Sequence, residues 1–238
     1  MTLLATYFAV TQRICALNNH GVKSLQAGDT RRAEGYFTEA ISLSRELIAC
    51  SAQHLDENDF LRRQTKKCCC TCPSCRILPS TNEEVTNNPI FLYSRTLLLP
   101  QQPCHVQSLE STSLNFAVIL FNHGLMNHMA GLNQENSHAL ATAEAFYELS
   151  MLLVKRNPTL ISQSNDVALL LIAATGNNLA QIALEHGDNT LVRHRLNVLD
   201  TLLHCPNGKM HSVLTTVEWA GILSNVLLVN GLNTARAA

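Results

Sequence analysis

Apolar side chains recur at helical spacing from Thr2 to Ala27, pause at Gly28, and resume through Ala33, Phe37, Ala40, Ile41, Leu43 and Leu47 toward Ala52. This pattern predicts two amphipathic helices. Gly28 supplies a left-handed residue to end the first, and Asp29 or Thr30 offers a side-chain oxygen to cap the second, so the two form an antiparallel hairpin. The rhythm fails from residue 54 to residue 110 and returns near Ser113. Helices are predicted over Ser113–Leu132, Ser137–Arg156, Ser162–His186, Thr190–Leu203 and Ser212–Val229, with stops at Asn157-Pro158, Gly187-Asp188 and Cys205-Pro206-Asn207-Gly208. That makes seven helices, and the fold class is all-α.

Residues 54–110 contain Pro73, Pro79, Pro89, Pro100 and Pro103 and no sustained helical period. They read as a Cys/Pro-rich insertion, irregular and in part disordered, between residues 1–53 and residues 111–238 of one solenoid domain. Its most ordered piece is Ile90 to Leu99, whose β-branched and aromatic side chains favour an extended strand packed across the helices.

Laying the helices on one another exposes a repeat. Asn19, Gly21 and Gly28 have the spacing N-x-G-x6-G, Asn122, Gly124 and Gly131 repeat it, and Asn178, Ala180 and Gly187 follow with Ala for the first glycine. Small residues at 21, 124 and 180 let the two helices of a hairpin approach closely. The second helices carry Ala33, Phe37 and Ala40, then Ala143, Tyr147 and Ser150, then Val192, Leu196 and Leu199. The middle set is displaced by seven residues, which places an insertion between Gly131 and Ser137.

The best-preserved copy, Leu17 to Leu43 with Gly21, Gly28, Ala33, Phe37 and Ala40, resembles the tetratricopeptide repeat (TPR), a 34-residue helix-turn-helix unit. The resemblance covers about 17–50, 114–156 and 170–203, with 212–229 like a capping helix; the aromatic near the first-helix centre and the closing proline are mostly missing. It implies a right-handed α-α superhelix of about three hairpins plus a C-terminal cap, its first helices lining a concave groove. In similar repeats the position of Asn19, Asn122 and Asn178 faces that groove and bonds to the main chain of a bound peptide, so these three, with Asn18 and Asn177 beside them, are the candidate peptide-binding residues. An amide both donates and accepts, and a ladder of amides suits an extended backbone of any sequence. The alternative is that each asparagine braces the neighbouring hairpin. The Lys and Arg clamp that some TPR domains use for a C-terminal carboxylate is not matched, because the neighbours Asn18, Val22, Leu125 and Gln181 are uncharged.

Composition narrows the function further. A net charge of -1 with only 15% charged residues favours neither nucleic acid nor an anionic membrane as partner. The N-terminus lacks a basic leader and cleavage site, and the nearest approach to a membrane span, Asp166 to Leu184, is interrupted by Gly176, Asn177 and Asn178. Nine cysteines without a secretory signal are expected as thiols in a reducing compartment, which points to an intracellular, cytoplasmic protein, with Cys15, Cys50, Cys104 and Cys205 serving as small core residues. Cys69, Cys72 and Cys75 have half the spacing of a zinc site and Cys104 could complete it, but the second half is poorly formed and no metal or other cofactor is expected. His123 and His128 are five apart, poorly placed to share a ligand, and are expected at the core rim or groove. No phosphate loop, nucleophile elbow or dinucleotide fingerprint appears, so no catalytic residue is named. The expected function is a non-catalytic scaffold or adaptor with a protein or peptide partner. A zinc- or redox-responsive regulator acting through the insertion, and a structural subunit of a homo-oligomer, are the alternatives.

Overall fold

A computed structural model describes residues 3–53, 77–79, 91–100, 109–158, 166–204 and 213–236. Their order is α1 (Leu3–Gln26), α2 (Thr30–Gln53), β1 (Leu78–Pro79), β2 (Leu97–Leu98), α3 (Leu109–Gln134), α4 (Ser137–Lys155), α5 (Asp166–Glu185), α6 (Asn189–Leu203) and α7 (Thr216–Arg236). The protein is all-α. Its one strand pairing among the described residues is the short antiparallel ladder of Leu78 with Leu98 and Pro79 with Leu97. The cysteine cluster with Cys69, Cys72 and Cys75, and also Cys104 and Cys205, lie outside the described residues.

Two compact units form, Met1–Asn82 with Thr96–Met126 and Glu83–Arg95 with Asn127–Ala238. In the first, α1 packs along α2 as an antiparallel hairpin and also meets β2. Gly21 explains the closeness of the hairpin, since a Cβ there would stand 2.6 Å from the Phe37 ring. In the second, α5 packs against both α4 and α6, and α6 against α7. Fifteen of the twenty residues of α5 are buried, all round the helix, because it has neighbours on every side. Gly176, Asn177 and Asn178 lie inside it, as the expected helix from Ser162 to His186 has them. It is the one helix among the described residues long and apolar enough to cross a membrane, and its apolar surface is used in packing, 83% of that window being buried.

All nine second-helix positions of the repeat are buried, Ala33, Phe37 and Ala40 in α2, Ala143, Tyr147 and Ser150 in α4, and Val192, Leu196 and Leu199 in α6. The hairpin turns also share one geometry. Gly28 at φ +78° donates to Leu25 O while Asp29 N donates to Ser24 O, and Gly187 at φ +73° donates to Leu184 O while Asp188 N donates to Ala183 O. These are Schellman closures, each followed by an aspartate whose Oδ1 caps the next helix: Asp29 accepts from Arg32 N, and Asp188 from Thr190 N and Leu191 N.

The middle hairpin corrects the expected turn at Gly131. The helix continues to Gln134, Glu135 takes the left-handed residue at φ 51°, Asn136 N donates to Gly131 O, and Asn136 Oδ1 caps α4. The turn thus moves four residues beyond Gly131, and Ala143 stands seven residues after its cap where Ala33 stands four after Asp29. The seven inserted residues therefore add one turn to each helix rather than lengthening a loop. Gly131 becomes a helix-interior residue against Leu140, whose Cδ2 lies 2.7 Å from where its Cβ would be.

Two further expectations change. Cys50 is exposed on α2 and is not a core residue, whereas Cys15 is fully buried and its thiol is pushed up to about 12 by burial. The last helix begins at Thr216 and not at Ser212, because Thr215 and Glu218 form a capping box: Glu218 Oε2 accepts from Thr215 N at 2.7 Å and Thr215 Oγ1 from Glu218 N at 3.3 Å.

Candidate functional site

The helices present asparagine amides to an extended stretch of the same chain. Within the first unit, Asn122 Oδ1 accepts from Leu97 N at 2.9 Å while Asn122 Nδ2 donates to Leu97 O at 2.8 Å. Asn19 treats Leu99 the same way, accepting from its N–H and donating to its carbonyl, both at 2.8 Å. Asn18 ties the two clamps together. Its Nδ2 donates to Leu97 O and to Asn19 Oδ1, and its Oδ1 accepts from Asn122 Nδ2 at 2.9 Å.

The second unit contains the same network on different residues. Asn178 accepts from Tyr93 N and donates to Tyr93 O, both at 3.0 Å. Asn225 accepts from Phe91 N at 3.0 Å and donates to Phe91 O at 2.8 Å. Asn177 plays the part of Asn18: Nδ2 donates to Phe91 O and Asn178 Oδ1, and Oδ1 accepts from Asn225 Nδ2 at 2.8 Å. In each unit a tandem Asn-Asn pair on one helix and a single asparagine on another hold residues two apart in sequence. Two-residue spacing is the period of an extended strand, so each network reads alternate residues from one side.

All five asparagines singled out from sequence, at 18, 19, 122, 177 and 178, bond to main chain, and Asn18 and Asn177 also brace one helix to another. The asparagines thus hold the chain's own main chain and, through Asn18 and Asn177, brace one helix to another. Asn225 is absent from the sequence prediction because α7 reads as a cap. Its signal was weak, a single asparagine without the following small residue and turn glycine.

Burial makes the clamps strong. Asn18, Asn122, Asn177 and Asn178 are fully buried and Asn225 nearly so, and the clamped Tyr93, Leu97 and Leu99 side chains are buried too. A main-chain N–H or C=O in such a place costs free energy unless bonded, and the amides satisfy both at once. Tyr147 orients one of them, its hydroxyl accepting from Asn178 Nδ2 at 3.1 Å, and burial holds this phenol well above its ordinary pKa. His128 Nδ1 lies 3.4 Å from the same hydroxyl, and burial lowers the imidazole to about 3. His123 stacks on Phe37 with centroids 5.9 Å apart and is lowered by burial to about 4. Both histidines are neutral core residues rather than rim residues.

Around residues 91–95 the second unit adds side-chain contacts. The Phe91 ring fills the space a side chain at Gly221 would need, with a Cβ there 2.3 Å from the ring. Arg95 donates to Glu218 Oε1 at 3.0 Å, and this carboxylate is 4% exposed. Among the described residues no group of three His, Cys, Asp or Glu side chains is placed to hold a metal ion. Compared with known proteins, the chain matches no family model, no curated protein and no solved structure.

Proposed function

We propose that this protein is a non-catalytic interaction scaffold that binds an extended protein segment through asparagine clamps on a TPR-like, right-handed stack of helix hairpins. The bidentate clamp carries the proposal. An amide that takes the N–H and the C=O of one residue recognises extended main chain, as Asn178 does with Tyr93 and Asn122 with Leu97. The TPR-like arrangement is supported by the hairpin of α1 and α2 closed on Gly21, by the two Schellman turns at Gly28 and Gly187 and by the nine buried second-helix positions. Residues 97 and 99 in the first unit, and 91 and 93 in the second, are then tethered ligands of the clamps that hold them, and a partner gains either set of clamps by displacing them. A cytoplasmic, reducing setting accompanies this function, with the thiols free.

The test uses the full chain with Phe91, Tyr93, Leu97 and Leu99 all replaced by Ala, so that the tethered segment competes poorly. Offered an array of extended peptides of varied sequence, this opened chain binds some of them, the unaltered chain binds them more weakly, and adding Asn122→Ala and Asn178→Ala removes binding. An opened chain that keeps its helical circular dichroism and binds no peptide would show that the clamps serve only as a seat for the chain's own segment.

A further inference from the structure

The clamps read main chain and so do not by themselves choose a sequence. Three features of the second unit do. Phe91 occupies a hollow that exists because residue 221 is glycine. Tyr93 is fully buried. Arg95 meets a buried carboxylate whose other oxygen is held by Thr215 N, so Glu218 is fixed in place before any ligand arrives. We infer that the second unit is a receptor for a partner-protein segment in extended conformation with an aromatic residue, any residue, a second aromatic, any residue and an arginine. This rests on the scaffold function proposed above and names the ligand class of that same site.

Charge complementarity supports a cationic fifth position, because a ligand without it leaves Glu218 buried and unpaired, which costs more than an exposed pair would. The aromatic first position follows from the Gly221 hollow, which an aliphatic side chain would leave partly empty. A second copy of this chain is a poor occupant. Its segment would make the same contacts as the tethered one while lacking the high effective concentration that tethering confers, on the order of millimolar for a flexible link. A foreign segment can do better, since the site holds bonding capacity that residues 91–95 do not use. Gln181, one turn beyond Asn177 and Asn178 on the same face of α5, is 1% exposed with neither amide atom bonded.

The experiment measures fluorescence anisotropy with a labelled peptide of residues 88–96, Asn-Pro-Ile-Phe-Leu-Tyr-Ser-Arg-Thr, against the full chain carrying Phe91→Ala, Tyr93→Ala and Arg95→Ala. The peptide binds. Leucine at both aromatic positions weakens binding at least about tenfold, and alanine for the arginine weakens it by about tenfold on a chain with Glu218 but not on Glu218→Gln. Equal binding by all three peptides would overturn the ligand class while leaving the scaffold function standing, whereas failure of every peptide would count against the scaffold function itself. Should the triple variant lose its helical signal, the unaltered chain serves: excess reference peptide speeds deuterium uptake at the Phe91 and Tyr93 amides and the substituted peptides do not, and equal acceleration would overturn the inference. Dimerisation of the unaltered chain at micromolar concentration that Phe91→Ala with Tyr93→Ala abolishes would give the site to a second copy and also overturn it.

Discussion

Asn122 gives both hydrogen-bonding ends of its amide to a single residue, Leu97, and both residues are fully buried. Removing the amide leaves the Leu97 N–H without its partner, while the Leu97 carbonyl keeps a bond from Asn18. Asn18 Oδ1 also loses its donor, so Asn122→Ala should destabilise the chain by about 3 kcal/mol, the cost of an orphaned buried donor, an orphaned buried acceptor and a weakened carbonyl bond. Asn19→Ala should cost less, because Asn19 is only partly buried and water can reach its partners. Urea midpoints for the two variants check the order. Equal losses would mean that the clamps are not graded by burial.

Much of this site is readable in the sequence, for a physical reason. A buried asparagine in a helix interior is costly unless its amide is fully used, so the tandem pairs at 18–19 and 177–178 stand out against apolar neighbours. The helices follow from apolar spacing, and two of the three turns follow from glycine. The third turn is hidden because Glu135 adopts a conformation its residue type does not advertise. Asn225 is hidden because nothing local separates a clamp from a solvent-facing amide. That residues 91–99 supply the bound main chain depends on contacts across 25 to 134 positions, for which single-chain patterns carry no signal.

Glycine positions separate three effects. Gly21→Ala drives a methyl into Phe37 and should destabilise by about 1–3 kcal/mol through overpacking, with partial recovery when Phe37→Leu is added. Gly35→Ala, mid-helix and exposed with nothing within 4 Å, should stabilise by up to about 1 kcal/mol through helix propensity. Glu135→Gly should also stabilise, by roughly 0.5–1 kcal/mol, because it relieves a left-handed residue at the α3 to α4 turn. Thermal denaturation of the three single variants under one buffer condition distinguishes them, and a destabilising Gly35→Ala would contradict the open space around that residue.

Two buried histidines tie stability to acidity. His123 and His128 are lowered to about 4 and about 3 by burial, so across the range from 6.5 downward the unfolded chain binds protons that the folded chain refuses. Their neutral forms contribute fully above about 6.5, and stability falls as pH drops from there through about 4 for His123 and about 3 for His128, by on the order of 3 kcal/mol for the first and about 5 kcal/mol for the second. His128→Gln should flatten the dependence between pH 6 and pH 4 even if it lowers stability at neutral pH. Urea titrations at intervals of one pH unit test this, and an unchanged slope in the variant would remove His128 from the acid response.

Cysteine reactivity should divide along the fold. Cys15 lies fully buried in α1 with its thiol pushed up to about 12, while Cys50 is exposed near the end of α2. The thiolate is the reacting species, so Cys15 is protected twice, by lack of access and by lack of ionisation. A charged alkylating reagent at pH 7.5 should modify Cys50 within minutes and leave Cys15 untouched until the chain unfolds, with peptide mapping by mass spectrometry assigning each site. Urea should then expose Cys15 in step with the loss of helical circular dichroism. Modification of Cys15 well before that transition would show that the α1 and α2 hairpin opens locally, and the clamps of Asn18 and Asn19 on α1 would have to open with it.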